Sequence, residues 1–419
     1  MIKEIYDSIK NIPIIDTHEH LDPFEKDRPR TDVIGGFLTQ YIRTDLISAG
    51  MSWDLYWQLV GSQMDLKEKW NLLEPYWNVC RYTGYGQCLS ISARDIYGID
   101  DICADTIEAL NEAYLKSYEE NHYRRVLKEK CNIEISILDI WDNVPVDRDF
   151  FVPSNRIDRL IMPRKGSQIQ DLESATGITI SSFDNYLEAC EIRINQFADA
   201  SPILKLGIAY HRDLNFARIT RSAAETAYNE MIHSEYAIHK ADLMYPIRQD
   251  FTNYLFHFIL GIAQKKQMIL QIHTGIQEGN ANLLEHSNPM YLNPVFIDYP
   301  GIKFDIFHIG YPYQKELGTL CKMFPNVYVN MCWAHIISPL ESKRTLSEWL
   351  ELIPYTKILG FGGDYRIIDA VYGHQYMARK HLAEVLSEKV ENGLFDQTEA
   401  CRIGKAILYD NPARLYKLK

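Results

Sequence analysis

Short runs of apolar and β-branched residues recur along the chain, and longer amphipathic stretches separate most of them. The runs have the length of buried strands, whereas the stretches place apolar residues at the three- and four-residue spacing of a helix. Strands alternating with helices indicate a parallel sheet, and eight repeats are typical of a closed barrel. The sequence therefore predicts an α/β fold, a (β/α)8 TIM barrel. Its predicted strands span residues 12–18, 133–140, 157–163, 202–210, 267–273, 302–308, 326–333 and 357–364, and its clearest helices span 182–200, 245–267 and 313–324.

The segment between the first two predicted strands is much longer than one barrel crossover. Residues 24–130 are helical or aromatic-rich in pattern, so they predict a mostly helical insertion. Residues 1–23 and 131–419 would then form the barrel. Because the insertion follows the carboxyl end of the first strand, we expect it to cover the face on which TIM barrels carry their active sites.

Charge and composition limit the partners that the protein can bind. The chain of 419 residues has a formal net charge of -12, and no basic face that could bind phosphates is visible. We therefore expect a small-molecule substrate rather than a nucleic acid. Eight cysteines without a CxxC pair, and a start MIKEIYDSIK without the apolar core of a signal peptide, favour the cytoplasm. No run approaches the roughly 18 apolar residues of a spanning helix, so no membrane partner is expected.

The stretch IIDTHEHLDP, residues 14–23, places two histidines at the end of the first predicted strand. Alternation along a strand turns Asp16, His18 and His20 to one side, and Thr17 and Glu19 to the other. Two imidazoles that point the same way form half of a metal site. Taken alone, the pair is equally compatible with a solvated turn.

Other predicted strands end in polar residues of the same kind. His273, His308 and Asp364 each follow an apolar run. Because the carboxyl ends of all strands of a parallel barrel meet on one face, these residues should surround one cavity together with His18 and His20. The combined pattern favours a metal site over a set of unrelated surface histidines.

Lys205 lies inside an otherwise apolar predicted strand, where an ammonium group is costly to bury. Three interpretations remain open: a carboxylated lysine that bridges two metal ions, an amine that binds a substrate carboxylate, and a side chain that reaches solvent at the barrel floor. His211 shares the face of Lys205 by alternation and is a further candidate for the pocket.

The motifs DTHEH, LKLGIAYHR, QIHTG, FHIGYP, GGDYR and ILYDNPARLYKL together resemble the metal-dependent amidohydrolase superfamily, in particular its amidohydrolase-2 branch. The amidohydrolase domains of nodulin and glutamine-synthetase-like fusions are similar. The resemblance implies that His18, His20 and Asp364 bind a divalent metal and that His273 joins them. It implies that His308 is a ligand or an acid/base group. Zinc is the first expectation, with manganese or iron as alternatives, and one or two ions per chain.

The run MCWAHIISP followed by GGDYR also resembles the uronate isomerases, which share the barrel and its ligands. Trp333, His335 and Arg366 carry this partial resemblance. The histidine of HIGYP, His308, favours the hydrolase architecture instead. A pocket with many arginines would favour the isomerase, and a bridged pair of metals would favour hydrolysis.

The main expectation is a metal-dependent hydrolase of a small amide, ester or lactone. A metal-activated water would attack, Asp364 would transfer its proton, and His308 would polarise the carbonyl. Arg366, His211 or Arg212 could hold a carboxylate or the hydroxyls of a sugar acid, with Trp333 and His335 beside them. Aldose–ketose isomerisation and metal-dependent decarboxylation are the alternatives. The family resemblance also implies a homo-oligomer.

Overall fold

The computed structural model describes residues 1–61, 63–118, 121–142, 144–232 and 247–418. Eight parallel strands form one sheet in which every strand pairs with its neighbours in the sequence. The predicted (β/α)8 barrel is therefore confirmed. The strands are β1 (Ile14–Glu19), β2 (Ile133–Ile140), β3 (Phe151–Arg156), β4 (Ile203–Leu206), β5 (Ile269–Ile272), β6 (Lys303–Ile306), β7 (Val327–Asn330) and β8 (Ile358–Leu359).

Backbone hydrogen bonds between β1 and the residues that follow β8 close the barrel. The amide of Thr17 donates to the carbonyl of Phe361 at 3.1 Å, and the amide of His20 donates to the carbonyl of Tyr365 at 3.1 Å. Between these two bonds, the amide of Asp364 donates to the carbonyl of His18 at 2.8 Å. The seam of the barrel therefore runs through the residues that the sequence predicts as metal ligands.

Helices cover the outside of the barrel, and the predicted helices at 182–200, 245–267 and 313–324 are present to within a few residues. Residues 245 and 246 of one predicted helix lie outside the described residues. The α-helices are Ile2–Ile9, Val33–Leu38, Ile42–Ser48, Trp53–Val60, Leu66–Cys80, Gly84–Tyr97, Ile107–Lys116, Asp158–Ile161, Gly166–Thr176, Phe183–Ala200, Arg221–Ile232, Gln249–Lys265, Asn293–Asp298, Gln314–Met323, Ala334–Ile337, Pro339–Leu352, Ile368–Glu391, Gln397–Lys405 and Asn411–Tyr416, with π-helical turns at Arg124–Lys130 and Ala406–Asp410.

The third strand differs from the prediction. The predicted run 157–163 begins with a helical turn, Asp158–Ile161, and the strand is the preceding segment Phe151–Arg156. The sequence did not predict this strand because it contains Pro153. A proline cannot donate to a sheet ladder and so argues against a central strand. The structure accommodates it because Pro153 pairs with β2 only, and β4 pairs with β3 only at Asn155 and Arg156.

Six α-helices of the described residues lie between β1 and β2, within the predicted insertion. This segment contacts the carboxyl end of β8, since the Nε2 of Gln40 donates to the carbonyl of Asp364 at 3.0 Å and the hydroxyl of Tyr41 donates to the same oxygen. The division into a barrel and an inserted domain at 23 and 131 stays a prediction. Within the described residues, no helix is long and apolar enough to cross a membrane.

A hydrogen-bonded polar layer fills the barrel below the site. The Nε2 of Gln271 donates to the carbonyl of Thr17 at 2.9 Å and to Asp305 at 3.1 Å, while Asn330 and Tyr416 donate to the same carboxyl group. Burial raises the pKa of Asp305 to about 6 despite these donors. Because its members are satisfied by one another, the layer fixes the relative positions of four strands.

Gly363 provides a direct test of the seam. A Cβ at this position would lie 1.7 Å from Oε1 of Glu19. We expect Gly363→Ala to lower the free energy of unfolding by at least about 1–3 kcal/mol, as overpacking does in other cores. Denaturant unfolding followed by circular dichroism would measure it.

Gly261→Ala is the matched control. Gly261 lies within the helix Gln249–Lys265, and a Cβ there meets nothing within 4 Å. We expect this change to be neutral or to raise the free energy of unfolding by up to about 1 kcal/mol. Equal effects of the two substitutions would contradict the packing described for the seam.

Candidate metal centre and its cavity

Three predicted ligands converge at the end of β1. The Nε2 of His20 lies 3.0 Å from Oδ1 of Asp364, and the Nε2 of His18 lies 3.5 Å from the same oxygen. One ligand atom from each residue falls within a group no wider than 4.8 Å. His18 is fully buried, and His20 is about a quarter exposed, at 23%. Two imidazoles and a carboxylate in this arrangement match the ligand set of a catalytic zinc, manganese or iron ion.

The strand does not reach this arrangement by simple alternation. Between Asp16 and Glu19, β1 advances three residues while β2 advances two, from Ser136 to Leu138. This irregularity places the carboxyl groups of Asp16 and Glu19 in mutual contact, away from the imidazoles. The prediction that Asp16 faces the same way as His18 and His20 is therefore wrong.

The buried pair of Asp16 and Glu19 supports the loop that carries Asp364. Asp16 accepts a hydrogen bond from the amide of Gly363 at 3.0 Å, and Glu19 accepts one from the amide of Tyr365 at 2.8 Å. Burial, followed by the charge of Asp16, raises the pKa of Glu19 well above its usual range. Glu19 is therefore the protonated partner, and its role is structural.

Asp364 is held in a strained backbone conformation. Its φ of +59° lies in the left-handed region, which costs about 1–3 kcal/mol for a residue with a side chain. Gln40 and Tyr41 donate to its carbonyl oxygen from one side, and its amide binds His18 from the other. Burial alone would raise the pKa of its carboxyl group, but the hydrogen bond from His20 and the nearby positive charges, including Lys205, lower it to about 2.

His308 and His273 extend the site. The Nε2 of His308 lies 3.7 Å from Oδ2 of Asp364 and 3.0 Å from Nδ1 of His273. The Nδ1 of His308 faces the carbonyl of Cys332, and the Nε2 of His273 faces the carbonyl of Ile276, each at 3.0 Å. A carbonyl only accepts, so both of these nitrogens carry the hydrogen, and the two nitrogens that face each other both present lone pairs.

Such a contact between two lone pairs requires a cation or a shared proton. Burial lowers the pKa of His308 to about 4 and that of His273 well below its usual range, so a proton is disfavoured at neutral pH. A metal ion is the better fit to this pair. His308, Cys332 and Asp364 also form a second compact group of candidate ligand atoms. His273 thus joins the first group through His308 rather than by direct contact with Asp364.

Two charged residues of the site were not predicted. Asp139 on β2 is buried, with Oδ2 at 3.6 Å from Nδ1 of His20 and 3.9 Å from Nε2 of His18. Arg156, at the end of β3, places its Nε 2.9 Å from the same oxygen. Asp139 could have been found as the acidic residue near the carboxyl end of the β2 run. Arg156 could not, because β3 itself was placed too late in the sequence.

A cavity of about 670 Å³ opens beside these ligands. Five arginines and Lys205 line it, against three acidic residues. This local excess of positive charge occurs in a chain with a net charge of -12. The arginines are Arg43, Arg156, Arg159, Arg164 and Arg366, and the acids are Asp158, Glu278 and Asp364.

Three of the cavity arginines are already paired with carboxylates. Arg43 contacts Glu278, Arg156 contacts Asp139, and Arg159 contacts Asp142 at 2.6 Å. Within the described residues, Arg164, Arg366 and Lys205 form no ion pair. These three cations are therefore available to an anionic ligand.

Of the predicted substrate-binding residues, His211 and Arg366 line the cavity. Arg212 does not line it, and its predicted role in substrate binding stays a prediction. Its guanidinium is buried and donates to Asn253 at 2.8 Å and to the carbonyl of Asn215 at 2.6 Å. These hydrogen bonds of Arg212 stabilise the loop after β4.

Trp333 and His335 also lie behind the cavity wall. Trp333 stacks on Tyr41 at 4.3 Å and packs edge-on against His308 at 5.2 Å. His335 is buried, with Nε2 at 3.1 Å from the carbonyl of Gly360 and Nδ1 at 3.3 Å from His381. Both residues have packing contacts, neither lines the cavity, and direct substrate contacts by them stay a prediction.

The comparisons with known proteins agree with this architecture. Residues 243–418 match the amidohydrolase family model Amidohydro_2. Protein fluG of Emericella nidulans is 32% identical over 150 residues, which cover 36% of this chain and 17% of fluG. The uronate isomerase of Phenylobacterium zucineum is 22% identical over 463 residues, covering 99% of this chain and 93% of that protein. The predicted resemblance to the amidohydrolase superfamily is confirmed.

Solved structures of similar overall fold include two isomerases. The glucuronate isomerase of Caulobacter crescentus superposes with a TM-score of 0.80 at 19% identity, over 100% of this chain and 94% of that one. The uronate isomerase of Thermotoga maritima superposes with a TM-score of 0.81 at 18% identity, over 99% and 97%. Members of this superfamily bind divalent metals, which agrees with the histidine and aspartate groups described above.

Metal analysis of purified variants would test the ligands of this amidohydrolase-type site. Loss of a direct ligand should cost more affinity than the roughly 10- to 100-fold that follows loss of an outer-shell partner. We therefore expect His18→Asn and Asp364→Asn, purified with metal present, to retain little metal by plasma mass spectrometry. His211→Asn, which changes a cavity residue outside the ligand group, should keep the metal content of the wild type. Retention of metal by Asp364→Asn would contradict the assignment.

Proposed function

We propose that the protein is an aldose–ketose isomerase acting on a sugar acid. The observation that carries this proposal is the arginine-lined cavity beside the histidine and aspartate ligands. Arginine binds carboxylates through two parallel hydrogen bonds, and among the residues that the structure describes no carboxylate pairs with Arg164 or Arg366. The relatives that align with nearly the whole chain and are named uronate isomerases support the same substrate class.

His18, His20 and Asp364 would hold a divalent ion, with His273 and His308 as further donors. The lone pairs of His273 and His308 face each other, and this arrangement supports the fit of these two residues to a cation. Once bound, the ion would act as a Lewis acid that polarises oxygen atoms of the substrate. The low pKa of Asp364, about 2, suits a residue that holds and orients a cation better than it suits a base.

The proposed reaction moves one proton between adjacent carbons. A base removes the proton from the carbon that bears the hydroxyl next to the carbonyl, and an enediolate forms. A proton returns to the former carbonyl carbon, and a second proton passes from one oxygen to the other, so neither net oxidation nor reduction takes place. Arg366 and Arg164 would bind the substrate carboxylate during these steps. Arg43 and Arg156, each already paired with a carboxylate of the protein, would form the rest of the cationic wall.

A hydrolase is the second candidate, and a specific observation favours it. His308 lies 3.7 Å from Asp364 and shares a compact ligand group with it and Cys332, which offers donors for a second ion. The structure of a putative metal-dependent hydrolase from Lactobacillus casei also superposes on this fold, with a TM-score of 0.68 at 16% identity. Hydrolysis of a small amide, ester or lactone is thus the alternative reaction for the same ligands.

An assay with glucuronate and galacturonate distinguishes the two functions. We expect conversion to the corresponding ketose, loss of activity on chelation, and recovery when a divalent metal is returned. Arg366→Met should lower kcat/KM by about 10- to 100-fold, because a hydrogen bond to a charged group contributes about 1.5–3 kcal/mol. Arg218→Met is the control, since Arg218 forms an exposed ion pair with Asp298 and does not line the cavity.

The opposite result would select the hydrolase. It would consist of no turnover of either uronate by the metal-loaded protein, together with metal-dependent cleavage of a lactone, ester or amide. Equal losses in Arg366→Met and Arg218→Met would show that the cavity arginine has no specific role.

A further inference from the structure

Lys205 differs from the other buried lysines of the described residues. Lys69 contacts Asp32 at 2.6 Å, and Lys389 contacts Glu351. Lys205 is equally buried, with 1% of its surface exposed, but its ammonium group has no hydrogen-bond or ion-pair partner in the described part of the chain. Burial of an unpaired charge is costly, so a lysine retained in this state calls for a functional reason.

The side chain of Lys205 lies at the wall of the candidate site, against the Phe307 ring that also contacts His18. Lys205 lines the cavity, and in the sheet it lies between Arg156 on β3 and Gln271 on β5. Its positive charge acts on the imidazoles of His18 and His273 and on the carboxylate of Asp364. A ligand bound in the cavity beside the candidate metal ligands would therefore lie close to Lys205.

The surroundings of Lys205 decide among the three interpretations left open by the sequence. The side chain does not reach solvent, because the whole residue is buried. A carboxylated lysine would be an anion, yet the nitrogen lies 3.6 Å from the centroid of the Phe307 ring, whose face is negative. The ring favours a cation at this position. Burial lowers the pKa of Lys205 to about 8, and the nearby charges of Asp139 and Asp364 oppose this shift.

We propose that Lys205 is a catalytic residue whose free ammonium group binds the substrate oxygen that becomes negative in the enediolate. This inference rests on the proposed isomerase function. Lys205 forms no covalent bond and keeps its proton. It donates a hydrogen bond that strengthens as negative charge develops on the oxygen, so it stabilises the transition state more than the substrate.

This role predicts opposite effects of Lys205→Met on stability and on catalysis. Removal of one preorganised donor to a developing oxyanion costs about 100- to 1000-fold in kcat. We expect a loss of this size with a smaller change in KM and an unchanged metal content. Because an unpaired buried charge is removed, the melting temperature should stay the same or rise.

Lys389→Met is the matched control. It removes a buried lysine that has a carboxylate partner and lies outside the cavity. We expect a lower melting temperature and an unchanged kcat per folded molecule. The contrast between the two variants separates a catalytic lysine from a merely buried one.

Two further measurements distinguish the ammonium from a carboxylated lysine. Lys205→Ala should recover part of its kcat when methylamine or ethylamine is added, because a small amine can occupy the vacated space. Wild-type activity and metal content should not depend on added bicarbonate, and ¹³C-bicarbonate should give no lysine carbamate signal by NMR. A carbamate signal, or loss of metal from Lys205→Met, would overturn the proposal.

Parallel assay of the wild type separates this inference from the function on which it rests. An active wild type with an equally active Lys205→Met overturns the role of Lys205 alone. A metal-loaded wild type that converts neither uronate overturns the isomerase, and the role of Lys205 with it.

Discussion

The hydrogen bond from the amide of Asp364 to the carbonyl of His18 is the contact on which the site depends. It belongs to the seam that closes the barrel, and it joins two of the three residues in the first ligand group. Closure of the sheet and assembly of the ligands are therefore the same event. The buried pair of Asp16 and Glu19 reinforces this seam by accepting the amides on either side of Asp364.

Charge, rather than fold, favours one chemistry over another in this barrel. The barrel and its histidine and aspartate ligands are compatible with hydrolysis, isomerisation and decarboxylation alike. This chain has a cationic cavity in a protein that is acidic as a whole. Electrostatic attraction of this kind concentrates anionic ligands near the opening and orients them inside it. A sugar acid meets both requirements, since its carboxylate can bind the arginines while its hydroxyls reach the metal ligands.

The sequence is a good guide where each strand carries its own signal. His18, His20, His308 and Asp364 could be placed together because each follows an apolar run, and a parallel barrel brings those ends to one face. The irregularity in β1 could not be predicted, because alternation assumes an uninterrupted ladder with β2, and the exception appears only in the pairing of Asp16 and Glu19. Arg212 and His335 lie near the right strands, but whether a loop turns a side chain inwards depends on partners distant in sequence.

The contacts of Gln40 and Tyr41 have a consequence for the modular description of the chain. Both side chains belong to the segment between β1 and β2, yet both bind the carbonyl of Asp364, a residue at the opposite end of the sequence. These two hydrogen bonds stabilise the left-handed backbone conformation of Asp364, which is unfavourable for a residue with a side chain. A barrel without residues 24–130 would keep every candidate metal ligand. It would lose the hydrogen bonds that hold Asp364 in position. The helices between β1 and β2 are thus part of the framework of the candidate metal site, and substitutions among them can alter its geometry without changing a candidate ligand.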